Sequence, residues 1–142
     1  MNSVLARFLG VDYGEKRVGL AIADPIGMIA TPAGFISRRA GKRAPIAEII
    51  RRAEELEARG FVVGLPLDGS GNETEWTAEV RRVGDELGKR TNLPVRFIDE
   101  RYTTATSLRT IREMEGSTRG RKGDVDSMAA AVLLQNALNV TE

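Results

Sequence analysis

The sequence predicts an α/β fold: a mixed five-stranded sheet, three antiparallel strands followed by parallel ones, with helices on both faces. Three observations carry the prediction. The chain opens with short runs rich in apolar and branched residues, separated by turns that contain glycine or proline. From Ala44 onward, apolar stripes at helical spacing alternate with short buried-strand runs, the pattern that builds parallel strands with covering helices. The 142 residues, 42% of them hydrophobic, suffice for one sizeable core and leave little room for a second. One domain spanning residues 1–142 is therefore expected, with the element order βββαβαβαα.

Each element has its own signal. Phe8 to Asp12 and Val18 to Ala23 flank a turn at Gly14 and read as a hairpin, and Asp24-Pro25-Ile26-Gly27 forms the next turn. Met28 to Ile36 follows as a third strand, with Pro32 arguing for an edge position or a bulge because proline gives the ladder no amide hydrogen. From Ala44 to Arg59, Ile46, Ile49, Ile50, Ala53 and Leu56 share one helical stripe, and Gly60 is placed to end it. Phe61 to Val63 reads as a buried strand. After a loop from Leu65 to Gly71, Asn72 and Glu75 stand at capping-box spacing ahead of a helix with the stripe Trp76, Val80, Val83 and Leu87. Pro94 to Ile98 is the fifth strand. Leu108, Ile111 and Met114 mark a third helix ended by Gly116, and Val125, Met128, Ala129, Val132, Leu133 and Leu138 mark a fourth.

Composition excludes several chemistries. The chain contains no cysteine and no histidine, so it forms no disulfide, no thiolate metal site and no Ser-His-Asp triad. Any metal must sit on oxygen ligands, which favours magnesium or manganese. The opening stretch carries Arg7 and no long apolar run before Asp12, so it reads neither as a signal peptide nor as a membrane span; cytoplasmic residence and no membrane partner are expected. A formal net charge of +1 does not by itself demand a polyanionic partner. Local clusters at Arg38-Arg39, Lys42-Arg43, Arg51-Arg52, Arg81-Arg82 and Arg119/Arg121/Lys122 supply the positive charge, although such pairs also occur as plain solvated surface.

Acidic residues stand where open α/β sheets bind ligands. Asp12 closes the first strand inside Gly10-Val11-Asp12-Tyr13-Gly14, and Glu100 follows the strand that ends at Ile98. Asp126 lies at the start of the final helix. Should that helix pack beside the first strand, the carboxylates of Asp12, Glu100 and Asp126 meet within reach of a pair of cations. Two divalent ions roughly 3.5 to 4 Å apart, held by hard oxygen ligands, activate water and stabilise the leaving oxygen of a phosphodiester, and that chemistry needs no histidine. Each acid also has an ordinary reading: the aspartates as turn formers or caps, and Glu100 as a surface acid paired with Arg101.

At these residues the chain resembles the YqgF/RuvX family of ribonuclease H-like nucleases, described as resolvases of Holliday junctions or as enzymes that mature the precursor of small-subunit ribosomal RNA. Four blocks in order carry the resemblance nearly end to end: Gly10-Val11-Asp12-Tyr13-Gly14-Glu15-Lys16-Arg17-Val18-Gly19-Leu20-Ala21, Val62-Val63-Gly64-Leu65-Pro66-Leu67, Asp99-Glu100-Arg101-Tyr102-Thr103-Thr104 and Lys122-Gly123-Asp124-Val125-Asp126-Ser127. The resemblance implies a ribonuclease H-like fold and a metal-dependent nuclease with Asp12, Glu100 and Asp126 as catalytic, metal-binding acids, carrying two Mg2+ or Mn2+ ions. Asp124 reads first as a helix cap. Resolvase relatives carry a further acid three residues beyond the aspartate that corresponds to Asp126; here that position is Ala129, a departure that weakens the junction-resolving reading.

The matched blocks also suggest substrate contacts. Lys16 and Arg17 follow the first acid and are placed to grip phosphate, with Arg17 alternatively a hairpin surface residue. Arg101 and Thr103 follow the second acid, with Thr104 beside them, where they orient it or meet substrate, with Thr103 alternatively capping the third helix. Arg119, Arg121 and Lys122 sit in a glycine-rich segment just before Asp126, a composition suited to a phosphate backbone. Gly64-Leu65-Pro66 reads first as a plain strand-to-helix connection and second as the entry to a polar loop suited to anion contacts. Tyr13, Tyr102 and Trp76 read as packing residues before base-stacking ones.

Nucleic acid is the expected partner, ribosomal RNA precursor ahead of branched DNA, with a homodimer compatible. Two other classes compete. A DxG turn also cradles phosphate in two-domain ATP-dependent phosphotransferases, but this chain has room for one such domain. A ribosome-assembly or nucleic-acid-binding module without catalysis predicts binding that survives Asp12→Asn.

Overall fold

The computed structural model describes residues 4–38, 43–100 and 122–140, with side chains from Asp124 onward in the last stretch. The strands are β1 (Phe8–Tyr13), β2 (Arg17–Ala23), β3 (Ala30–Ser37), β4 (Gly60–Leu65) and β5 (Val95–Asp99). The helices are α1 (Ile46–Glu55), α2 (Glu75–Thr91) and α3 (Lys122–Val140). The strands form one sheet in the order β3-β2-β1-β4-β5. β2 runs antiparallel to both β1 and β3, whereas β4 is parallel to β1 and β5 parallel to β4, so the expected mixed sheet is present. The helix expected around Leu108, Ile111 and Met114 lies outside the described residues.

Alternation along β1 decides which helix meets which face. Leu9, Val11 and Tyr13 point into one core with Val18, Leu20, Phe61 and Val63, closed by Ile46, Ile49 and Ala53 of α1 and by Val80, Val83 and Leu87 of α2. Phe8, Ala21, Ala23 and Val62 point the other way, onto Ala130, Leu134, Ala137 and Leu138 of α3. On that second face the strands carry small residues at Gly10, Ala21 and Ala23. A Cβ placed on Gly10 would stand 2.9 Å from the Leu134 Cβ, so its lack of a side chain brings α3 close to the centre of the sheet.

Boundaries shift from the sequence expectation where side chains capture the backbone. Met28 and Ile29 do not start β3, because their amides donate to the Asp24 carboxylate at 2.7 and 3.1 Å and fold both residues into the preceding turn. Helix α1 ends at Glu55, before Gly60: Leu56 N donates to the Arg52 carbonyl and Glu57 takes φ 55°, while Gly60 instead opens β4 beneath the Phe8 ring. The cap of α2 is Thr74 and not Asn72. The Thr74 hydroxyl accepts from Thr77 N at 3.3 Å and Thr74 N donates to the Thr77 hydroxyl at 3.1 Å. Asn72 is already engaged, its amide donating to Asp68 Oδ1 at 2.9 Å and its carbonyl accepting from Asp68 N at 3.0 Å. Among the described residues no helix is long and apolar enough to cross a membrane.

Candidate active site

Asp12 lies one residue before the end of β1, the central strand of the sheet, and alternation turns its side chain toward α3. Its neighbours on both sides are glycines. On β2 its register partner is Gly19, and a Cβ there would fall on the backbone carbonyl of Asp126. On β4, Val63 pairs with Val11, and a Cβ on the next residue, Gly64, would fall on Oε2 of Glu100. The missing side chains at Gly19 and Gly64 therefore let the start of α3 and the Glu100 carboxylate stand over the sheet on either side of Asp12. Adjacent strands are about 4.8 Å apart, which sets the scale of this grouping.

The three acids come from three parts of the chain, and each is buried: Asp12 is 3% exposed, Glu100 4% and Asp126 4%. Glu100 leaves the carboxyl end of β5, where its amide donates to the Leu65 carbonyl at 3.3 Å. Buried carboxylates are costly unless cations or hydrogen-bond donors compensate them. One such cation is Arg17, whose Nε donates to Asp126 Oδ2 at 2.6 Å. Arg17 thus ties β2 to the second turn of α3 and does not lie free on the hairpin surface, whereas Lys16 beside it is exposed. Among the described residues the acids do not close into a ready-made coordination sphere. Their donor chemistry nonetheless fits a hard divalent cation, since all the side-chain donors are carboxylate oxygens and none is nitrogen or sulfur.

A second cluster backs the end of β1 from the opposite face. Tyr13 stacks on Trp76 with ring centroids 5.5 Å apart, and the Arg38 guanidinium lies 4.6 Å from the Tyr13 ring centroid. Arg38 also donates to the Gly14 carbonyl at 2.9 Å and pairs with Glu79 at 3.8 Å, while the Tyr13 hydroxyl donates to Glu79 at 3.4 Å. Tyr13 and Trp76 are packing residues in this arrangement. Burial, opposed by Arg38 and reinforced by Glu79, pushes the Tyr13 hydroxyl up to about 12.

Sequence reasoning singled out Asp12, Glu100, Asp126, Lys16 and Arg17 within the described residues; Lys122 opens α3, and Arg101, Thr103, Arg119 and Arg121 lie outside them. It named Arg38 only within a basic cluster and Ser127 only within a matched block, without a role for either, and it read Gly64 first as part of a simple connection. An isolated glycine within a strand pattern, as at Gly19 and Gly64, signals close backbone approach and was the available clue.

The fold with acids at the ends of β1 and β5 and at the start of α3 is that of the ribonuclease H-like α/β class. Solved structures agree at the level of fold: Thermus thermophilus RuvC in complex with a Holliday junction substrate superposes with a TM-score of 0.60 at 13% identity, covering 94% of each chain. A second structure of Thermus thermophilus RuvC gives 0.58 at 12% identity, covering 92% of this chain and 93% of that one. The family model described as RuvX, Holliday junction resolvase, matches residues 6–140, and the chain belongs to that family. Curated relatives span it almost completely. A protein of Rickettsia bellii named as a candidate pre-16S rRNA nuclease is 37% identical over 134 residues, 94% of this chain and 86% of its own length. Proteins of the same name from Clavibacter michiganensis and Anaeromyxobacter are each 38% identical, covering 92% and 94% of this chain and 81% and 96% of their own lengths.

Proposed function

We propose that this chain is a divalent-metal-dependent nuclease that hydrolyses phosphodiester bonds in structured nucleic acid, with 5′-end maturation of the small-subunit ribosomal RNA precursor as its task. The observation that carries the reading is the placement of Asp12, Glu100 and Asp126 on one sheet face around the end of β1, in a chain without histidine or cysteine. The names and end-to-end similarity of the relatives support the RNA substrate. In this reading the whole chain works as one domain in the cytoplasm.

Asp12, Glu100 and Asp126 would hold two Mg2+ or Mn2+ ions, which would supply activation of water and charge stabilisation at the leaving oxygen. Asp12, on the central strand, stands between the other two acids. Arg17 fixes the Asp126 carboxylate through its 2.6 Å contact and adds positive charge beside the scissile phosphate. Lys16, exposed at the turn after β1, draws the phosphate backbone toward the site, joined by Arg101, Thr103, Arg119, Arg121 and Lys122.

The junction-resolving alternative is weaker for a specific reason. Ala129, at the position where resolvase relatives carry a further acid, is fully buried against Leu133 and presents no carboxylate. The test is a cutting assay on 5′-extended ribosomal RNA precursor and on four-way DNA junctions, with magnesium, manganese or chelator. Wild-type protein is expected to cut the RNA only with metal. Asp12→Asn and Glu100→Gln, folded by circular dichroism, should lose on the order of a hundredfold or more in rate, as expected when several kcal/mol of charge stabilisation disappear. Undiminished cutting by both variants would refute the assignment, and preferential cutting of the junction would move it to the alternative.

A further inference from the structure

Between Gly19 and Ala21 the β2/β3 register slips: Gly19 pairs with Phe35 and Ala21 with Pro32, so two residues of β3, Ala33 and Gly34, face the single residue Leu20. This is a β-bulge, and a bulge interrupts the ladder. Gly34 takes φ +89°, which suits glycine. The Leu20 carbonyl and the Gly34 amide both turn to a side chain from another element. Ser127, 4% exposed in the first turns of α3, donates its hydroxyl to the Leu20 carbonyl at 2.9 Å and accepts from Gly34 N at 3.1 Å. One hydroxyl thus spans the interrupted ladder.

Ser127 immediately follows Asp126. Along β2, Arg17 holds the Asp126 carboxylate, Gly19 makes room for the Asp126 carbonyl, and Leu20 receives the Ser127 hydroxyl. We infer that Ser127 is a positioning residue: by stitching the start of α3 into the β2/β3 bulge it sets where the Asp126 carboxylate stands relative to Asp12. This rests on the reading of Asp12, Glu100 and Asp126 as metal ligands. The bulge is then part of the metal site's support, one layer behind the acids.

Gln135 provides a matched control. Two turns further along α3 it also ties the helix to the β3 side of the sheet, its Oε1 accepting from Ala30 N at 2.9 Å and its Nε2 donating to the Met28 carbonyl at 3.0 Å. A role confined to holding α3 down would make Ser127→Ala and Gln135→Ala alike. Binding of Mn2+ to the full chain without substrate, read from the electron paramagnetic resonance signal of the free ion, separates the two. Ser127→Ala is expected to weaken Mn2+ binding roughly tenfold, as loss of support behind metal ligands does. Gln135→Ala should bind as the wild type while losing thermal stability to a similar degree. Should Ser127→Ala fail to fold, Ser127→Cys keeps the volume with a poor donor and gives the same comparison, and Ser127→Thr, which restores a hydroxyl, should recover binding. Unchanged Mn2+ affinity in Ser127→Ala, or in Ser127→Cys where it replaces it, overturns the inference, as does equal weakening in Gln135→Ala. With Asp12→Asn alongside, loss of Mn2+ there but not at Ser127 defeats this inference alone, whereas unchanged binding in Asp12→Asn defeats the metal-centre reading with it.

Discussion

Burial of Tyr13 between Arg38 and Trp76 makes the neutral phenol the form the fold accepts, raising its ionisation from the ordinary 10.0 to about 12. A group whose folded value is raised contributes stability that is complete below its unfolded value. That contribution is lost as pH rises through the folded value. The window is therefore from about pH 10 to about pH 12, and stability falls progressively across it. The chain has two tyrosines, so in a Tyr102→Phe background the absorbance of tyrosinate reports Tyr13 alone, and its midpoint is expected near 12. Tyr13→Phe should flatten the alkaline fall in urea-unfolding free energy. Single residues were unevenly legible in the sequence. Asp12, Glu100 and Asp126 stood out because carboxylates at strand and helix ends sit in recognisable motifs. The Arg17–Asp126 pair did not, because β2 and α3 are far apart in the chain and no local pattern reports which cation meets which acid.

Elements are placed by what they lack as much as by what they carry. Gly19 and Gly64 occupy strand interiors where alternation alone would tolerate valine, yet any side chain there collides with Asp126 or with Glu100 and Leu133. Gly19→Ala and Gly64→Ala are each expected to cost about 1–3 kcal/mol in equilibrium unfolding, the range for overpacking a closely fitted site. Gly64→Ala should in addition weaken Mn2+ binding, because the flexible end of Glu100 is among the groups that must yield. Asp24 shows how a turn overrides a strand pattern: Met28 and Ile29 have strand-forming side chains, but their amides are held by the Asp24 carboxylate, which these bonds keep below the usual carboxylate range. Strand and helix types were readable from apolar spacing. Their ends were not, since these depend on which side chain reaches the backbone first, as Thr74 does in place of Asn72.

The whole molecule is a sheet with unlike halves. The antiparallel β1, β2 and β3 are joined by short turns, and the parallel β4 and β5 are reached across α1 and α2. The order of elements made this layout legible, because helix and strand alternation after a three-stranded start permits few right-handed arrangements. The close seat of α3 over Gly10 was beyond reach, because it depends on a contact between the beginning and the far side of the chain. Leu134, fully buried against that face, tests how much of the fold depends on it: Leu134→Ala is expected to lose about 2–5 kcal/mol in denaturant unfolding.

The late place of α3 in the chain also bears on how the protein is made. Strands β1 to β3 can pair while the rest is still being synthesised, but Phe8, Ala21, Ala23 and Val62 remain wet on one side until residues 122–140 emerge. A nascent chain halted before that point presents an uncovered greasy surface, a natural target for chaperones, and acquires its full complement of buried acids only as translation reaches the covering helix.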